Sequence, residues 1–375
     1  MRLPQPLVES PWFAFSSVAD FLTALRDDLP PETVQQIQYL SAKGLPPIVS
    51  EETLATMVGI NAGIVWSFAN RSARHYQTFT IPKGHGHRTI TAPRVGLKIV
   101  QKWLSHHIAK VYVAPAHVCG FVPSRSHIEA AFAHRDATWA YSVDIRDFFV
   151  STPQSTVLDA YHYLGYDLKA ASLLAQLSCF NGALSQGSPT SPTLSNICFR
   201  DLDVSLVELA QAYGATITRY ADDIVFSGAG TFPEQLKQDI ERLFEGTPWE
   251  LAPEKSRLEP LKGRIKVHGL IVSGEGVRLT KGYRNKLRAY EHILRTRPKP
   301  INEDKLWGHV EYSRHVRKTL ARFSGEPEIE AAIYTEAGQL KRARSIDKVS
   351  NEPVPAVYKP DFKGFVDFLR GLFRT

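Results

Sequence analysis

Cysteine is scarce in this sequence: three in 375 residues (Cys119, Cys179, Cys198), an odd number with no CxxC spacing. That leaves no disulfide framework and no thiolate zinc cage, and it points to buried free thiols in a reducing compartment. No apolar run approaches the ~18 residues that a membrane span requires. The opening Met1-Arg2-Leu3-Pro4-Gln5-Pro6 lacks the apolar core of a secretory signal. A cytoplasmic protein without a membrane partner is expected. Internal repeats and low-complexity tracts are absent too, which argues against solenoids and linkers. Histidine is plentiful, at thirteen, but His85-Gly86-His87 has no cysteine or carboxylate at ligand spacing. That segment reads as a solvated basic loop, not a zinc site.

What is present suffices for a folded enzyme. With 43% hydrophobic, 22% charged and 10% aromatic residues, the chain can build two or three packed substructures. The net charge of +7 is concentrated: residues 281–324 hold twelve Lys or Arg against four acids, while the rest is near neutral. A basic segment on a neutral body is the footprint of a phosphate-backbone contact surface. On charge alone, a solvated helical face is the alternative.

Residues 1–45 read as an N-terminal helical extension, with Ser17 capping a helix that carries Val18, Phe21, Leu22 and Leu25 on one face. Leu45-Pro46-Pro47 closes it, and a helix follows around Glu51–Met57. Strands are expected at Gln77–Ile81 and Thr89–Thr91 about the Lys83–Arg88 turn, then a helix from Val95 to Lys110. The centre alternates a strand at Trp139–Ile145, helices at Gln154–Leu164 and Ala170–Leu177, and a long helix within Ser191–Tyr213. Strands Ala215–Tyr220 and Ile224–Ser227 meet at Ala221-Asp222-Asp223. A further hairpin pairs Val267–Val272 with Gly276–Leu279, and the chain is helical after Thr280, interrupted at Arg297-Pro298-Lys299-Pro300.

Asp222 and Asp223 are adjacent acids at the tip of two apolar strands. Alone, they make an ordinary solvated turn. A further acid, Asp144, ends the apolar strand Ala140-Tyr141-Ser142-Val143. If these strands lie side by side, the carboxylates converge and repel unless a cation lies between them. Oxygen ligands without imidazole or thiolate suit two Mg²⁺ ions about 3.5–4 Å apart, with Mn²⁺ as a substitute.

At this point the chain resembles the reverse transcriptases. Tyr220-Ala221-Asp222-Asp223 is similar to the family's YxDD box, Asp144-Ile145-Arg146-Asp147-Phe148-Phe149 to its first-aspartate motif, and Gln186-Gly187-Ser188-Pro189-Thr190-Ser191-Pro192 to its QGxPxSP loop. All three occur in the family's order, and the resemblance spans about residues 48–290. It implies an α+β right-hand fold with fingers, an antiparallel palm and a helical thumb. It implies that Asp144 and Asp222 bind metal with help from the Ile145 carbonyl, and that Asp223 supports the metals or the primer end. Phe149 would lie under the incoming sugar and exclude a 2′-hydroxyl, or else be plain core. Gln186 and Gly187 would meet the nucleotide, Arg88 and Lys83 would grip its triphosphate, and Lys255 would protonate pyrophosphate. Residues 46–280 would form fingers and palm, with Val267–Leu279 as primer grip, and 281–375 a basic thumb.

Within the family the closest resemblance is to bacterial retron reverse transcriptases, whose Asn-Ala-x-x-His and Val-Thr-Gly motifs are partly matched. Ala131, His134, Val267 and Gly269 agree, whereas Ala130 and His268 replace the Asn and Thr, and Leu184-Ser185 stands for Leu-Pro. His134 alone also reads as a satisfied core histidine. A retron enzyme implies dNTP substrates, a cognate structured non-coding RNA, priming from a guanosine 2′-hydroxyl, branched RNA-linked DNA, and antiphage defence with an effector protein from the same locus. Arg284, Arg288, Arg314, Arg317 and Lys318 are the candidate RNA contacts. Two readings stand beside it. For a diversity-generating or abortive-infection reverse transcriptase, a variable-repeat target gene would speak for the first, whereas a cognate stem-loop RNA beside the gene would favour the retron; a non-catalytic RNA scaffold would show no synthesis.

Overall fold

The computed structural model describes residues 3–25, 29–83, 86–260, 265–273, 276–297 and 302–324. Strands β1 (Tyr76–Lys83) and β2 (Gly86–Pro93) form a two-stranded antiparallel hairpin, running from Tyr76 opposite Pro93 to Lys83 opposite Gly86. It is longer than expected because neither Pro82 nor Pro93 interrupts pairing when both strands are edges. The Gly84–His85 turn lies outside the described residues.

The centre of the molecule is a four-stranded antiparallel sheet. It contains β3 (Trp139–Asp144), β4 (Thr216–Tyr220), β5 (Asp223–Gly228) and β6 (Arg257–Pro260), in the order β4-β5-β3-β6. Side chains alternate between the faces of a strand, and here both faces are covered. Trp139, Tyr141 and Val143 of β3, with Ile224 and Phe226 of β5, enter the large core. Helices Val95–Val111, Gln154–Leu164, Leu168–Ser178 and Ser191–Cys198 contribute Trp103, Tyr161, Leu174 and Leu194 to the same core. The intervening residues Ala140 and Val225 enter a smaller core with Ile128 and Ala131 of helix His127–Ala133. That core also holds the inner residues of a third sheet, β7 (Ile265–Val267), β8 (Leu270–Ser273) and β9 (Gly276–Leu279). Val316, on helix Glu303–Ser324, completes it and seats the basic helices against the sheet.

Two expected elements are divided. Val267–Val272 is not one strand, because His268 and Gly269 take φ 46 and 85 and reverse the chain between β7 and β8. The helix expected within Ser191–Tyr213 is two, Ser191–Cys198 and Arg200–Ala212, which meet at the buried Phe199. Helices Ala62–Asn70 and Gln235–Phe244 were not anticipated. Ser17 does cap Val18–Ala24, its hydroxyl accepting the Asp20 N–H at 3.1 Å. The N-terminal extension shares the large core through Leu7, Phe13 and Phe21. Trp103 also donates its indole N–H to the Ser10 carbonyl at 3.0 Å. All three cysteines are free and buried; burial pushes Cys119 up to about 11 and Cys179 up to about 12. Among the described residues no helix is long and apolar enough to cross a membrane. Residues 298–301 and 325–375, part of the expected thumb, lie outside the described residues, as does the Gly274–Glu275 turn.

One buried ion pair ties the sheet to its helices. Arg219 on β4 and Asp203 on helix Arg200–Ala212 are both fully buried and meet at 2.5 Å. Nε makes a second bond to Asp203 at 2.8 Å, and NH1 donates to Asn196 at 3.0 Å and to the Ala221 carbonyl at 3.2 Å. Burial opposes the Asp203 charge, yet the Arg219 guanidinium, helped by His117, holds its carboxyl below the ordinary range. Removing one partner of such a pair leaves an unpaired buried charge, at a cost of about 3–5 kcal/mol. Asp203→Ala should lose about that much stability in denaturant titration. The double variant Asp203→Leu/Arg219→Met should recover most of the loss, yet remain impaired in activity because Ala221 has lost its donor.

Candidate active site

β4 and β5 are joined by Ala221 and Asp222 alone, so Tyr220 lies opposite Asp223. Ala221 takes φ 61, a left-handed conformation that costs a residue with a Cβ about 1–2 kcal/mol. Neighbouring contacts hold it there. Arg219 binds its carbonyl, and the Ile145 N–H donates to the Asp222 carbonyl at 2.9 Å. The Cys119 N–H donates to the Arg219 carbonyl at 2.8 Å. Gly120 packs so closely that a Cβ would stand 2.3 Å from the Ala221 nitrogen. Glycine is required at 120 for that approach.

β3 brings the remaining acid: Asp144 lies directly opposite Asp223 across the antiparallel pair. Asp144, Asp222 and Asp223 therefore gather at one end of the four-stranded sheet. Burial raises the Asp222 carboxyl above the ordinary carboxylate range, and the charges of Asp144 and Asp223 raise it further, against the pull of Lys255 and a backbone hydrogen bond. Asp144 and Asp223 each have a donor. Lys255 Nζ stands 2.5 Å from Asp144 Oδ1, a bond that raises the lysine's own pKa. His268 Nδ1 is 2.9 Å from Asp223 Oδ2. Among the described residues no group of three or more His, Cys, Asp or Glu is placed to hold a metal ion as the side chains stand. Three carboxylates nevertheless supply hard oxygen donors of the kind a divalent cation takes, and burial, then the neighbouring acids, hold Asp222 partly against ionisation.

The other expected site residues fall into three groups. Phe149 is half-buried, its ring 5.8 Å from that of Phe121 and 5.8 Å from that of Phe148. Gln186 and Gly187 are pinned to the β2 strand: the Thr91 N–H donates to the Gln186 carbonyl at 3.0 Å, and a Cβ on Gly187 would meet Ile90 at 2.8 Å. The close approach that Gly187 permits here is to this hairpin. Arg88 lies on the same strand, paired with Ile81; the Lys83 side chain lies outside the described residues. Arg284, Arg288 and Arg317 line one cleft of about 310 Å³ with Arg278 and Leu287. Arg314 does not line it and pairs with Glu311 at 2.8 Å. Lys318 is exposed on the same helix. His134 is a satisfied core residue, bonded to Ser227 at 2.6 Å and Thr218 at 2.7 Å, and burial lowers it to about 3.

Sequence reasoning missed Arg219, Gly120, Phe121 and the contact of His268. The only signals were an arginine inside an apolar strand and a histidine where a threonine was expected.

The family described as reverse transcriptase (RNA-dependent DNA polymerase) matches residues 81–266. The chain is 34% identical over 294 residues to the Retron Mx65 reverse transcriptase of Myxococcus xanthus, covering 72% of this chain and 67% of that one. It is 31% identical over 301 residues to the Retron Mx162 enzyme of the same organism (70% and 62%). It is 29% identical over 225 residues to the Retron Ec86 enzyme of Escherichia coli (58% and 70%). Among solved structures, Candida albicans telomerase in complex with a fragment of telomeric RNA aligns at TM-score 0.40 and 10% identity, over 82% of this chain and 67% of that chain. The chain is a reverse transcriptase, an RNA-directed DNA polymerase with a right-hand α+β fold. Within that class it belongs to the retron-type bacterial enzymes, and the family works with divalent metal ions.

The raised Asp222 carboxyl has a measurable sign. Its ionised form is disfavoured by the fold, so the penalty is present at neutral pH and is lost as pH falls through the folded pKa. In metal-free buffer at pH 7, Asp222→Asn should therefore raise Tm above wild type, with the difference shrinking on acidification. Adding Mg²⁺ should raise the wild-type Tm more than that of the variant. Equal Tm values at neutral pH would count against the crowding of charge described above.

Proposed function

We propose that this chain reverse transcribes part of a structured non-coding RNA from its own locus. Synthesis starts from a guanosine 2′-hydroxyl of that RNA and yields branched RNA-linked DNA, in antiphage defence with an effector protein encoded nearby in a bacterial cytoplasm. The convergence of Asp144, Asp222 and Asp223 supports the chemistry, and membership of the retron-type enzymes supports the biology. Residues 46–280 serve as fingers and palm, 281–375 as thumb, and 1–45 as an extension of the palm core.

Asp144 and Asp222 would hold two Mg²⁺ ions, for which Mn²⁺ substitutes, with the Ile145 carbonyl and Asp223 assisting. When bound, the ions supply a lowered pKa for the attacking hydroxyl and positive charge for the triphosphate. The protein's own residues do the remaining work. Phe149, backed by Phe121, presents a ring where a ribose 2′-hydroxyl would lie, so deoxynucleotides are selected. Gln186 contacts the nucleotide, Gly187 keeps that loop against β2, and Arg88 and Lys83 bind the triphosphate. Lys255, whose Nζ stands 2.5 Å from Asp144 Oδ1, would be the ammonium that donates a proton to the departing pyrophosphate. Arg284, Arg288 and Arg317 meet RNA phosphates from one cleft, and Arg314 and Lys318 extend the surface; A-form RNA is read largely by shape and backbone.

Purified protein with the RNA transcribed from its locus, Mg²⁺ and dNTPs should give DNA attached to an RNase-sensitive branch. Asp222→Asn should abolish product while leaving RNA affinity within about twofold. Charge reversal at Arg284, Arg288 and Arg317 should weaken RNA binding and flatten its salt dependence by roughly one counterion per lost contact. RNA bound by wild type without any DNA made would refute the enzymatic reading. Phe149→Val should admit rNTPs, raising their kcat/KM relative to dNTPs by about tenfold or more (~1.4 kcal/mol). Unchanged discrimination would reassign Phe149 to core packing.

A further inference from the structure

We propose that His268 is a positioning residue for the polymerase reaction, holding the Asp223 carboxylate in one orientation through its Nδ1–H. The proposal rests on the reading of Asp223 as part of the active site.

The turn between β7 and β8 does not itself explain a histidine. Val267 pairs with Leu270, so the loop is His268-Gly269, and both residues have positive φ, 46 and 85. Two-residue turns of this kind favour Asn-Gly or Gly-Gly, which enter the left-handed region at little cost. Histidine is tolerated there but is not preferred. A histidine at this turn is accounted for by a side-chain contact that Asn or Gly would make differently or not at all.

The ring provides that contact. The side chain is only 4% exposed, and Nδ1 lies 2.9 Å from Asp223 Oδ2. An ionised carboxylate only accepts hydrogen bonds, so Nδ1 carries the proton and donates it. The last torsion of an aspartate is broad, and one fixed donor on one oxygen selects its plane. Lys255, the partner of Asp144, is different in kind: it is 49% exposed at the end of a flexible stem, and its charge is replaceable by a metal ion. His268 is on a tight turn with its ring enclosed, so its hydrogen bond persists when the site is filled.

The ring is also braced from the side of the box. Tyr220, which pairs with Asp223 across the hairpin, lies 5.6 Å from the His268 ring. Tyr220 meets His127 edge-on at 6.0 Å, and His127 stacks on Tyr312 at 5.7 Å and shares a 2.8 Å hydrogen bond with its hydroxyl. A column of rings therefore runs from helix Glu303–Ser324 to the donor of Asp223. His268 Nε2 is buried and, among the described residues, has no hydrogen-bond partner. The Nδ1 contact with Asp223 is thus the hydrogen bond that the ring makes among the described residues.

The test compares His268→Asn with His268→Gly. Both suit the turn at least as well as wild type, so both should fold, which thermal melting and RNA affinity verify. Asn carries an amide nitrogen on Cγ, where His carries Nδ1, and Gly carries none. Loss of an outer partner of a metal-binding group costs about 10–100-fold in affinity or activity. His268→Gly should therefore lower single-turnover DNA synthesis and raise the Mg²⁺ concentration for half-maximal rate by that order, with RNA Kd unchanged. His268→Asn should remain within about threefold of wild type by the same yardstick. Binding of Mn²⁺ alone, followed by water-proton relaxation, should rank wild type and His268→Asn together and His268→Gly weaker. If His268→Gly matches wild type while Asp223→Asn is inactive, the positioning role is wrong and the site reading survives. If Asp223→Asn is fully active, the site reading of Asp223 fails first. Equal losses in the Asn and Gly variants would likewise overturn the proposal.

Discussion

The buried Arg219–Asp203 pair is the constraint on which the site depends. Arg219 is one residue before the Tyr-Ala-Asp-Asp box, and its guanidinium reaches a helix, the neighbouring Asn196 and the Ala221 carbonyl at once. A left-handed alanine at the turn is strained, and strain persists only where surrounding contacts over-determine it. Here the hydrogen bonds at Ala221 and Asp222, together with the close packing of Gly120, do so. The position of Asp222 thus follows from charge buried well behind it.

In front of that anchor the site works against folding. Burial, and then the charges of Asp144 and Asp223, raise the pKa of Asp222. Lys255 and His268 relieve Asp144 and Asp223 by different means, one an exposed cation and the other an enclosed donor. A fold that keeps such charge unneutralised is poised to gain stability from a bound cation, because anything that binds the native state alone stabilises it.

How much of this was legible in the sequence follows from distance along the chain. The box at Tyr220–Asp223, the first acid at Asp144 and the Gln186-Gly187 loop are short and local, so residue order alone announces them. Ser17 as a helix cap, the Gln154–Leu164 helix and the β-rich flanks of the acids follow from local propensity for the same reason. Arg219 with Asp203 was not legible, since nothing local says that a strand arginine is buried or which of several acids meets it. The break at Phe199 was hidden by a continuous helical pattern on both sides. His268 was visible only as a departure from a family motif, and its meaning lay in a partner 45 residues away. Arg314 was grouped with its neighbours by charge, which does not distinguish a cleft-lining arginine from one paired along its own helix with Glu311.

The seam between β2 and the Gln186 loop has a mechanical consequence. Thr91 is bonded to the loop through its N–H, and its carbonyl accepts from the Ser185 hydroxyl at 3.1 Å. The hairpin is thus tied to the loop by its backbone at Thr91. Arg88 lies three residues out, about 10 Å at the rise of a strand. The position of Arg88 relative to the loop is therefore set by three residues of paired strand and not by the turn at the hairpin's end.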